Sequence, residues 1–181
     1  MARAWYSMHL ARCPVTARAA RALCAAALLL APILEAAELD VTQVDFAPAV
    51  SAKLEEYGEA EGAAVRDAIV AAVVRESRQS TVPAGLSVTV TVLDLSPSRL
   101  TRQQLNDNPS LDLVHSKSLG GAELKAEVRD GQQRLLKTVS YRYFAPDIAA
   151  GSPARDPWAD AHVAIDGFAQ KLTAACRDLH G

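Results

Sequence analysis

Between Leu86 and Val92 the chain alternates strictly: Leu86, Val88, Val90 and Val92 against Ser87, Thr89 and Thr91. A period of two with one apolar side predicts a strand in a sheet with one buried face. The alternation returns in Ala122, Leu124, Ala126 and Val128, set against Glu123, Lys125, Glu127 and Arg129. It appears again over about 134–144, where Val139, Tyr141 and Tyr143 oppose Thr138, Ser140 and Arg142. Asp130-Gly131 lies between these two runs, and both residues tolerate positive φ, so a hairpin is expected. A shorter β-type run, Leu39 to Phe46, predicts a first strand at a sheet edge, broken by Ala47-Pro48-Ala49.

The period changes to threes and fours in two places. From about Glu59 to Gln79, Val65, Ile69, Ala72, Val73 and Glu76 share a face, with Arg66, Asp67, Arg75 and Arg78 on others. Glu55, Glu56, Glu59 and Glu61 crowd the start of this helix, where its dipole favours negative charge. Val82-Pro83-Ala84-Gly85 stops it. At the other end, Trp158, Ala161, Ile165, Phe168, Leu172, Ala175 and Leu179 form one stripe flanked by Cys176. Asp156 is placed to cap that helix, and Pro157 to open it.

Residues 94–120 follow neither period. They contain Pro97, Pro109, Asn106, Asn108 and the pair Gly120-Gly121, and exceed an ordinary connection in length, which marks loops that are functional or mobile. Around Leu111 to Ser118 a brief strand pairing is possible, and 145–157 is a second irregular stretch. The expected order is therefore β-α-β-β-β-α. Strands with one apolar face and helices with one apolar stripe combine most economically as an α+β two-layer sandwich. Its sheet is mainly antiparallel, of about four strands, with two helices on one face and polar residues lining the other.

The first 36 residues belong to a different pattern. Arg3, Arg12, Arg18 and Arg21 precede an uncharged run from Ala22 to Leu34, and no acidic residue occurs before Glu35. A basic segment, a short apolar segment and then small residues is the layout of a secretory leader, with cleavage expected after Ala36. The alternative, a buried N-terminal helix, would have to bury several arginines. Cys24 opens the apolar run and does not close it, which argues against lipid attachment, and no twin-arginine pair is present. The domain division is then 1–36 leader and 37–181 a single domain, exported to the periplasm.

Composition narrows the remaining options. Lys+Arg number 19 against 21 Asp+Glu, and aromatics are only 5%, so a nucleic-acid partner is not expected. No apolar run reaches the ~20 residues of a membrane-crossing helix, so no span is expected in the mature chain. Beyond Ala36 the count is 15 Lys+Arg against 20 Asp+Glu, a net charge of −5, and Cys176 is the one cysteine. An internal disulfide is thereby impossible; the thiol is either a small apolar core residue or a reactive group.

Candidate chemistry is sparse. His162 and Asp166 lie four apart on the last helix, but two ligands without a third make weak evidence for a metal. His115 beside Ser116 and Lys117 suggests a base near a nucleophile, yet no motif of that kind surrounds it. The paired Glu55-Glu56 lack the spaced oxygens of a calcium loop. Gly120-Gly121 precedes a strand, not a helix, so it is better read as a turn than as a phosphate cradle. What stands out is charge: Arg99, Arg102, His115 and Lys117 face only Asp107 and Asp112 within 96–120, a locally basic stretch on an acidic body.

Gly120-Gly121-Ala122-Glu123-Leu124-Lys125-Ala126-Glu127-Val128-Arg129-Asp130-Gly131, a returning strand, a Pro/Gly loop and Trp158-Ala159-Asp160-Ala161 opening a helix carry a resemblance. Over about 85–178 the chain resembles small Gram-negative envelope proteins, periplasmic or lipoprotein-like, of unknown function, with a β-hairpin followed by a C-terminal helix. The resemblance implies a periplasmic setting and brings no catalytic residues. The expectation is an exported, non-enzymatic binding or interaction module without an obligatory cofactor. Its partner would be an envelope protein or an anionic envelope component, met at Arg99, Arg102, His115 and Lys117. The alternatives are a periplasmic hydrolase or transferase using loop residues around His115, and a small-ligand carrier built on an apolar pocket.

Overall fold

The computed structural model describes residues 38–112, 116–148 and 156–180. The expected leader, its cleavage point and His115 lie outside the described residues. Four strands form one mixed sheet in the order β1-β2-β3-β4: β1 Asp40–Phe46, β2 Ser87–Ser96, β3 Gly121–Arg129 and β4 Leu135–Phe144. β1 lies at an edge and runs parallel to β2, while the other pairs are antiparallel. The helices are α1 Pro48–Tyr57, α2 Glu59–Arg78, α3 Arg102–Asp107 and α4 Ala159–Arg177, with a final 3-10 turn at Asp178–His180. α4 packs on β3, β4 and α2, and α2 packs on β1. This is the expected α+β architecture, with the two long helices on one side of the sheet.

Alternation explains the core. Val88, Val90, Val92, Leu124, Ala126 and Val128 are fully buried and meet Val65, Ile69 and Val73 of α2 and Ile165, Phe168 and Leu172 of α4 in one cluster. Burying side chains of this size contributes roughly 1.5–3 kcal/mol each, an upper estimate because unfolded chains are already partly collapsed. β2 runs on past Val92 to Ser96, which the strict alternation did not foretell. A bulge falls between Val92 and Asp94: Leu93 is turned out to solvent, and Leu95 returns to the core. One extra residue resets the pleat without ending the strand.

Two further elements correct the reading of the sequence. Ala47-Pro48-Ala49 ends β1 but also opens α1, with Pro48 in the first turn, where its missing N–H costs nothing. Val50 and Leu54, four apart, are its buried side. Glu55 and Glu56 therefore close α1, and only Glu59 and Glu61 occupy the first turn of α2. Gly58 joins the two helices at φ 113°, a left-handed conformation that suits glycine. Inside 94–120, α3 is capped by Thr101, whose Oγ1 accepts from Gln104 N–H at 3.3 Å while Thr101 N–H donates to Gln104 Oε1 at 3.0 Å. Pro97, Ser98 and Thr101 are buried, so this part of the stretch is a built segment and not a loose connector.

Gly120-Gly121 is not a turn. Gly121 opens β3 at φ 153°, and a Cβ there would fall 2.2 Å from the Tyr143 carbonyl oxygen. A Cβ on Gly120 would fall 2.6 Å from Ser98 Cβ. Both glycines exist to let chain segments approach.

Each edge strand also gives one carbonyl to a cation from a helix. Arg66 Nε of α2 donates to Val44 O at 3.3 Å, and Lys171 Nζ of α4 donates to Ser140 O at 2.9 Å. Ala145 N–H bonds Gly120 O, one step beyond the Phe144–Gly121 pair, so alternate β4 residues face β3 and Ser140 faces outward.

Candidate functional site

A pocket of about 270 Å³ opens where α1, the segment after β2 and the segment before β3 meet. Its position follows from backbone hydrogen bonds. Ser98 N–H and Oγ both donate to Pro157 O, at 2.8 and 3.1 Å, which ties the end of β2 to the approach of α4. Ser118 N–H donates to Ser98 O at 3.1 Å, and its Oγ donates to Pro97 O. Arg99 and Lys117 then pair across an antiparallel bridge. Residues opposed in this way hold their Cβ atoms about 5 Å apart, so their side chains leave from one place.

Both cations line the pocket. Ser96, Pro97 and Leu100 accompany Arg99, while Ser116 and Ser118 accompany Lys117. Gln104 of α3 and Tyr57 at the end of α1 complete the wall. Since Gln104 Oε1 is taken by Thr101 N–H, the amide group left to the pocket is the NH₂, a donor. The lining therefore combines two cations, an amide donor and hydroxyls, with no carboxylate among them.

Tyr57 is fixed from behind. Its ring meets Trp158 edge to face with centroids 5.7 Å apart, and Trp158 Nε1 donates to Glu61 Oε2 at 2.5 Å. Trp158 is buried, so α1, α2 and the start of α4 are locked at one point. Burial pushes the Tyr57 phenol above its usual pKa despite the pull of Lys53, which keeps it protonated and able to donate at neutral pH. One turn earlier on α1, Lys53 Nζ meets Asp94 Oδ1 at 2.7 Å. That hydrogen bond raises the Lys53 pKa. Burial pushes Asp94 up, but the bonds from Lys53 and from Leu95 N–H outweigh it and hold the carboxyl below its usual value.

Of the four residues expected at a partner surface, the structure brings Arg99 and Lys117 together. Arg102 is exposed at the first position of α3 and does not line the pocket; His115 is outside the described residues. Tyr57 and Gln104 were missed. The Thr101-Arg102-Gln103-Gln104 spacing, a capping-box signature, was the available signal for α3 and hence for Gln104. Nothing local marks Tyr57, which becomes part of the site only because α1 exists.

Other candidates are accounted for by neighbours. Asp166 pairs with Arg75 at 2.7 Å and His162 with Asp156 at 3.2 Å, so the two do not act as a metal pair. Asp156 Oδ1 also accepts from Trp158 N–H at 3.0 Å, capping the turn that precedes α4. Cys176 is fully buried, and burial pushes its thiol up to about 11, which makes it a core residue and not a nucleophile. On the open sheet face Glu127 lies 3.4 Å from Lys125 and 2.8 Å from Arg129, and Arg142 lies 3.2 Å from Glu123. The charges of that face largely satisfy one another. No protein-family model, curated protein or solved structure matches the chain.

Proposed function

We propose that the chain is an exported, non-enzymatic binding module of the bacterial envelope that takes an anionic group of its partner into the Arg99–Lys117 pocket. The observation that carries this reading is the pairing of the two cations at a pocket whose lining holds no carboxylate. The net charge of −5 beyond Ala36 adds contrast: an acidic body turns away anions everywhere except at this end. The leader pattern over 1–36 supports the envelope setting.

The test is a charge reversal. Tagged chain is expressed in a Gram-negative host, recovered from the periplasmic fraction and used to capture partners from an envelope extract. The triple change Arg99→Glu, Arg102→Glu and Lys117→Glu should leave Tm nearly unchanged, since exposed charges contribute little to stability. It should abolish capture. Equal capture by both forms would overturn the reading, and an intact Met1 on cytosolic protein would overturn the export.

A further inference from the structure

We infer that the anionic group is a phosphomonoester on a short apolar or aromatic stem, with Tyr57 as the wall that receives the stem. The inference rests on the binding-module reading and names the ligand class of its site. Charge selects the head group. Arg99 and Lys117 lie directly opposite each other, and like charges so placed repel unless an anion lies between them. A phosphomonoester carries about −1.5 to −2 at neutral pH and answers both cations; a carboxylate answers one.

The donors agree with this choice. Beyond the two cations, the Gln104 NH₂ and the hydroxyls of Ser116 and Tyr57 point to a group with several acceptor oxygens. Three phosphoryl oxygens can use a spread of donors that a planar carboxylate cannot. Size selects the stem. At about 270 Å³ the pocket is smaller than those that enclose drug-sized molecules, so it suits a head group with a short stem. Tyr57, Pro97 and Leu100 provide the apolar side, and Tyr57 is held rigid by Trp158, so the wall is formed before anything binds. The phosphoryl group may belong to a free metabolite or to a phosphorylated partner, and the two share this chemistry.

The full chain carrying Trp5→Phe leaves Trp158 as the sole indole, next to Tyr57, so its fluorescence reports on the pocket. Phenyl phosphate is titrated first, then inorganic phosphate, benzoate and phenol, with calorimetry as a second readout. Phenyl phosphate should bind saturably and at least about tenfold more tightly than benzoate, the difference one charge-assisted hydrogen bond makes. Inorganic phosphate should bind more weakly than phenyl phosphate and phenol should not bind. Lys117→Gln should weaken phenyl phosphate about tenfold, and Tyr57→Leu should weaken it toward the value for inorganic phosphate. Tyr57→Phe guards against unfolding: it retains the ring and its contact with Trp158, and should keep the preference for phenyl phosphate over inorganic phosphate.

Benzoate binding as tightly as phenyl phosphate would overturn the ligand class, and so would binding unchanged in Lys117→Gln. Absence of saturable phenyl phosphate binding, with capture still lost on charge reversal, would overturn the class while the binding-module reading stood. A phosphoserine peptide matched against free phosphoserine separates the two sources: tighter binding of the peptide assigns the group to a macromolecular partner, equal binding to a small molecule.

Discussion

Asp94 and Lys53 show how a half-exposed pair sets a pH response. Their side chains are 39% and 42% exposed, so solvent screens the pair and its worth is no more than about 0.5–1 kcal/mol. Asp94 has a depressed pKa; its contribution is present above the unfolded value near 3.9 and is lost as pH falls through the folded value. Lys53 has a raised pKa; its contribution is present below 10.5 and is lost as pH rises through the folded value. Asp94→Asn keeps an oxygen for Leu95 N–H and removes only the charge. It should cost about 0.5–1 kcal/mol in urea titrations at pH 7, and the gap should close below about pH 3.5. A gap unchanged at pH 3 would mean that the ion pair is not its source. At this same scale the sequence is hardest to read. Asp130-Gly131 marked the hairpin turn correctly, yet the left-handed residue is Gln133, at φ 64°, and not Gly131. Asp130 works through its side chain, accepting from Gln132 and Arg134 N–H at 2.8 and 3.0 Å. A dipeptide signals a turn; which residue takes the unusual φ depends on the length of the loop that follows.

Elements with a long, regular period were legible, and those without one were not. α2 matches its expected span closely because Val65, Ile69, Ala72 and Val73 repeat over 20 residues. α4 carries the clearest stripe, and Phe168 at its middle is fully buried against the sheet. Phe168→Ala should cost about 3–5 kcal/mol, because the transfer energy of the ring is lost and a cavity remains. Less than 1 kcal/mol in a reversible denaturant titration would mean that α4 does not dock through this residue. α1 escaped notice because two buried residues in ten make no pattern, and its proline resembles a stop as much as a start. α3, at six residues, is held by its cap and not by any apolar face. The site inherits these gaps. Arg99 and Lys117 were found through local charge, but 18 residues separate them, and only the bridge makes them a pair.

At the scale of the whole molecule, the sheet has two open sides and a cation over each. An uncovered strand edge is a template on which another copy can grow, and natural proteins guard such edges, often with lysine. Arg66 and Lys171 already occupy the Val44 and Ser140 carbonyls, so an incoming strand would have to displace a charge-bearing donor before making its first bond. Leu135 and Leu136, 51% and 40% exposed at the start of β4, are what such a strand would otherwise bury. The double change Arg66→Ser and Lys171→Ser should leave the melting temperature within about 2–4 °C of the parent, since both bonds are exposed. It should nonetheless shorten the lag before thioflavin-positive aggregates appear on agitation near the melting transition. An unchanged lag would show that the edges are guarded by something else. The two side chains contribute little to whether one copy folds. Their effect falls on what folded copies do to each other when crowded, where they keep four strands from becoming a fibre.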